Sequence, residues 1–149
     1  MCLAVYVATD AQLPVGQWDE HAPAFYLEAV PASERVRKQF RYPSVYYAGS
    51  HEGCGCGFFK DGKEGPELEQ SQDSYRALAG ALSSALQSGA KVQLFTCWEG
   101  EQTAAPESVD DVNLEQLIEP DFEFQQLSLL NVLPAAFGRP LPSSGGQCR

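Results

Sequence analysis

Basic residues are scarce in this chain: Lys plus Arg number 10 against 20 for Asp plus Glu, which leaves a formal net charge of −10. A surface with that balance repels phosphate backbones and anionic lipid alike, so neither nucleic acid nor a membrane is an expected partner. No run of 18 apolar residues occurs, and the N-terminal residues lack the positive region and small-residue cleavage site of a secretory signal, so a cytoplasmic location is expected. Absent too are a Gly-rich phosphate loop, a paired-His zinc protease motif, a dinucleotide fingerprint, an internal repeat and a second Cys-pair motif.

Five cysteines are present, an odd number that does not read as a disulfide framework in a cytosolic chain of 149 residues. A chain of that length buries a real core without needing cross-links or a metal to fold. With 44% hydrophobic and 20% charged residues, a compact fold is expected. Its charges are unevenly spread. Arg35, Arg37, Lys38 and Arg41 cluster beside Tyr42, where a solvated helix face explains them better than an anion contact. From Glu99 to Glu123 the chain carries nine carboxylates and no Lys or Arg, which serves solubility first.

The periodicities predict an α+β fold: one domain over 1–134, with a mixed sheet of about five or six strands, one long helix and one or two short ones, then a Pro/Gly/Ser-rich tail over 135–149. Cys2 to Thr9 is apolar at both parities and reads as a strand covered on both faces. A strand is expected over Ala24 to Val30. A short helix follows, capped by Ser33, with Val36 and Phe40 on its buried side. Tyr75, Leu78, Ala79, Leu82 and Leu86 recur at spacings of three and four, which predicts a long helix starting near Ser71 or Asp73 and ending at Gly89. Lys91 to Trp98 is the next strand, reached by a crossover with parallel pairing. Ala104 to Asp111 reads as an acidic loop. Asn113 and Gln116 form a capping box for a short helix, and a last strand starts at Asp121 with a bulge near Gln125 and Gln126.

The chemically suggestive segment is Ser50 to Gly57, SHEGCGCG. Val45 to Ser50 and Cys54 to Phe59 read as the two arms of a β-hairpin turning through His51, Glu52 and Gly53. Pairing Ser50 with Cys54 and Ala48 with Cys56 places both thiols on one face and Gly55 and Gly57 on the other, where Tyr47 would cover Gly57. Three readings of the segment stand side by side. In the first it is a metal site, best suited to zinc, with His51, Cys54 and Cys56 as ligands; Cys97 is the leading fourth donor, with Glu52, Cys2 or water as others. In the second, Cys54 and Cys56 form a redox-active disulfide, although neighbours two apart on an extended strand lie at the limit of disulfide reach. In the third the cysteines are packing hydrophobes in a non-catalytic structural or interaction module.

Other residues carry weaker signals. A Cys-His dyad for hydrolysis lacks an orienting third group and an oxyanion turn. Met1 and Cys2 are all that the chain shares with N-terminal-nucleophile amidotransferases, because Leu3, Ala4 and Val5 follow in place of a Gly-rich continuation; Cys2 is assigned to the first strand. Trp18 and Trp98 each stand beside carboxylates, as packing aromatics commonly do.

Overall fold

A computed structural model describes residues 2–134, and the expected tail over 135–149 lies outside them. Six strands form a single mixed sheet in the order β2-β3-β1-β4-β6-β5. They are β1 (Leu3–Thr9), β2 (Tyr26–Ala29), β3 (Ser44–Gly49), β4 (Val92–Trp98), β5 (Ser108–Asn113) and β6 (Ser128–Leu133). Every neighbouring pair is antiparallel except β5 with β6. The α+β class expected from the sequence is the one observed, with one long helix, α1 (Pro66–Gln87), and one short one, α2 (Leu114–Leu117). Among the described residues no helix is long and apolar enough to cross a membrane.

All seven residues of β1 are buried, as its double-sided apolar pattern requires of an inner strand. Leu3, Val5 and Val7 point into the core under α1, where they meet Tyr75, Leu78, Ala79, Leu82 and Leu86. Ala4, Tyr6 and Ala8 point to the other face, against Val45, Phe95, Cys97 and Leu129. That second face is closed by Val36, from a 3-10 turn at Arg35–Gln39, and by Leu127. The Gln39 amide ties the turn to the Gln102 and Ala104 carbonyls at 2.8 and 2.7 Å.

Several local expectations are corrected. The long helix starts with Pro66 at its first position after Gly65 (φ +61°), ahead of Ser71 and Asp73; the polar first turn carries no apolar periodicity to reveal it. Its end is as expected, with Gly89 at φ +94° just past Ser88. The segment after Ser33 is a 3-10 turn without a side-chain cap. The acidic stretch holds strand β5, whose first four residues are exposed because it lies at the sheet edge. The last strand starts at Ser128, and the irregularity expected near Gln125 and Gln126 takes the form of Leu127 at φ +52°. The capping box of Asn113 and Gln116 is present in both directions, at 2.8 and 2.9 Å.

The hairpin is the largest correction. Cys54 to Phe59 is not a strand: Gly55–Phe58 forms a 3-10 turn, and β3 pairs with β1 and β2 instead. The crossover through α1 joins β3 to β4, which run parallel to one another but are separated by β1, so no parallel pairing results. The glycine covered by an aromatic ring is Gly49, where an added Cβ would fall 2.0 Å from the Tyr26 ring.

Candidate metal centre

The site grows from the start of β1. Along one edge β1 pairs with β4 from Leu3 to Thr9, but along the other it pairs with β3 only from Tyr6 to Thr9. The 3-10 turn Gly55–Phe58 packs against the part left over. A Cβ on Gly55 would lie 2.3 Å from the Leu3 carbonyl oxygen, so the close approach of the two backbones depends on glycine at this position. The Leu3 N–H donates to the Cys56 sulfur at 3.4 Å, which gives a backbone donor at the unpaired edge its acceptor.

The preceding loop is fixed as tightly. Ser50 is fully buried; its hydroxyl donates to the Cys54 carbonyl at 2.6 Å and accepts from Glu52 N–H at 3.1 Å. Gly53, at φ +87°, lets the chain reverse beneath the Trp18 ring, whose indole N–H donates to the His51 carbonyl at 2.9 Å. The Tyr26 hydroxyl donates to the Gly53 carbonyl at 2.7 Å. At the far end Tyr75, from α1, donates to the Phe58 carbonyl at 2.9 Å and accepts from Phe124 N–H at 3.0 Å. Strand, helix and loop therefore all hold the segment from Ser50 to Phe58.

This arrangement brings together the sulfurs of Cys2, Cys54 and Cys56, all within 4.8 Å of one another. Cys2 is exposed and the other two are half-buried. Zinc–sulfur bonds of about 2.3 Å would set sulfurs about 3.8 Å apart around a tetrahedral ion, a separation inside the 4.8 Å within which the three lie. Burial, above all, pushes the Cys54 thiol up to about 12, and the neighbouring thiols of Cys56 and Cys2 add to the rise. A cation bound by the three sulfurs would offset the charge of their thiolates.

Two of the expected ligands lie elsewhere. The His51 Nδ1 is 3.0 Å from the Ser74 hydroxyl on α1, and its Nε2 lies 3.7 Å from a Glu52 carboxylate oxygen. Burial lowers the His51 pKa, with Glu52 opposing the shift. Cys97 is fully buried on the face that holds Ala4 and Phe95, and burial pushes its thiol up to about 12, helped by Glu99 and Glu101. Of the donors considered beside Cys54 and Cys56, Cys2 is the one brought to them. It is 52 and 54 positions away in sequence, a spacing that carries no ligand signal.

The buried Lys60 close by is part of the framework. Its ammonium donates to the Glu119 and Pro120 carbonyls at 3.2 and 3.0 Å and sits 4.6 Å from the centre of the Tyr75 ring. Glu123 in turn accepts from the Lys60 N–H at 2.7 Å. No family model matches this chain, and no curated protein or solved structure matches it either.

Proposed function

We propose that this chain is a small metal-binding domain whose site is Cys2, Cys54 and Cys56 and whose favoured ion is zinc. One observation carries the reading: three sulfurs from two distant parts of the sequence lie within 4.8 Å of one another. The close backbone packing at Gly55 supports it, because a turn held against β1 keeps the donors in register before an ion arrives. Thiolate donors suit zinc or copper(I), and a divalent ion offsets three negative sulfurs better in a chain of net charge −10. A dithiol redox role for Cys54 and Cys56 is less well supported, since it gives the third sulfur of the cluster, Cys2, no part. The same net charge favours partners other than nucleic acid and anionic membranes, and a reducing compartment such as the cytoplasm would keep the sulfurs available as ligands.

Metal content of the freshly purified protein tests this. The expected result is one zinc per chain, lost in Cys2→Ser and Cys54→Ser and kept in Cys97→Ala and His51→Ala. A folded wild-type protein that takes up no zinc, or a Cys54→Ser variant that keeps it, would overturn the reading.

A further inference from the structure

Resting on that metal site, we propose that it is a peroxide-sensitive switch: a hydroperoxide joins Cys2 to Cys56 as a disulfide, and the zinc is released. Two observations pick out this pair. Cys2 is the exposed sulfur of the three, so a small oxidant in solvent meets it first, whereas Cys54 and Cys56 are half-buried. The Cys56 sulfur accepts from the N–H of Leu3, the residue next to Cys2, at 3.4 Å, which seats that sulfur beside the start of β1.

The backbone on both sides is held for closure. The Cys2 carbonyl accepts from Glu99 N–H at 2.8 Å, and the turn that carries Cys56 sits on the Leu3 carbonyl through Gly55. The sulfurs lie within 4.8 Å of one another and a bridge needs about 2.05 Å, so rotation of the two side chains has to supply the difference. Cys54 and Cys56 suit each other less well, because Cys54 is extended (φ −145°, ψ −177°) and neighbours two apart then lie at the limit of disulfide reach. Cys97 is fully buried with Ala4 and Phe95, away from a solvent oxidant.

Because zinc holds its cysteines deprotonated, the loaded site presents the form that reacts. The Cys2 thiolate attacks a peroxide oxygen, the O–O bond breaks, and the departing oxygen takes a proton from solvent. The Cys56 thiolate then attacks the sulfur of the Cys2 sulfenic acid; the S–O bond breaks and hydroxide leaves, protonated to water. Two thiolates have passed two electrons to the peroxide. Of its three sulfur donors the ion keeps Cys54 alone, too few for a zinc site.

Hydrogen peroxide added to the zinc-loaded full chain tests this, with a chromogenic chelator reading released zinc and fragmentation of linked peptides reading the bridge. The expected result is one zinc released per Cys2–Cys56 bridge, with dithiothreitol restoring both the thiols and zinc uptake. Cys54→Ser, which loses the ion, should still form the bridge. Zinc retained after peroxide, Cys2 oxidised to sulfinic acid without a bridge, or a bridge to Cys54, Cys97 or Cys148 instead would each overturn the inference and leave the metal site standing. A folded wild-type protein that never takes up zinc would sink the metal reading, and the switch with it.

Discussion

Burial, above all, pushes the thiols of both Cys54 and Cys97 up to about 12, yet the two belong to regions built on different principles. Cys97 is one residue of a regular strand, opposite Ala4 on β1 and packed with Phe95, with no other thiol in its core cluster among the described residues. There a cysteine behaves as a small hydrophobe. Cys54 stands at the head of a short irregular turn that is pressed onto the unpaired edge of β1, and its neighbours are two more sulfurs. Burial and a raised thiol thus fail to separate packing from chemistry. The identity of the neighbours separates them.

Substitutions at the two regions should divide metal binding from stability. The largest effect is expected at Gly55→Ala, whose new Cβ meets the Leu3 carbonyl at 2.3 Å. The turn must lift from β1 and the Leu3 N–H to Cys56 sulfur contact must open. Overpacking of this kind costs about 1–3 kcal/mol, and zinc stoichiometry should fall with it; a variant that binds zinc as wild type would show that the turn's seat on β1 does not position the sulfurs. Next comes Tyr75→Phe, which leaves the Phe58 carbonyl and the Phe124 N–H without their shared partner. Denaturant unfolding should show a loss of about 1–3 kcal/mol, with one zinc per chain retained by the folded variant. Loss of zinc from that folded variant would show that the anchor from α1 at Phe58 also positions the sulfurs.

The smallest effect concerns pH. The folded-state pKa of Cys97 lies above its ordinary value of 9.0, at about 12, so its contribution to stability is complete below pH 9 and is lost as pH rises toward 12. By pH 10 the loss is about 1 kcal/mol. Unfolding of wild type and Cys97→Ala at pH 8 and pH 10 should therefore show a gap that narrows with pH. A gap independent of pH would mean that the thiol is not held protonated by its strand environment.

How far the sequence reveals each region follows from the same contrast. β1, β4 and α1 are written as periodic patterns, since Leu3, Val5 and Val7 alternate and Tyr75, Leu78, Ala79 and Leu82 recur on one helical face. The capping box at Asn113 and Gln116 is a local code and was readable as such. At Cys54 to Phe58 the alternation of glycine with larger residues imitates a strand, and what makes it a turn is the approach of Gly55 to a backbone more than 50 positions away. Cys54 and Cys56 could be singled out from sequence. The share of Cys2 in the cluster depends on that long-range packing, and the diversion of His51 depends on Ser74 from the middle of α1. β5 leaves no such pattern, because an exposed edge strand, SVDDVN, has neither an apolar run nor clean alternation.

X-ray absorption at the zinc edge of the loaded wild-type protein tests the central claim most directly, because it counts the sulfur atoms around the ion. Three protein sulfurs at about 2.3 Å are expected. A first shell dominated by nitrogen and oxygen, or one unchanged in Cys2→Ser, would contradict it.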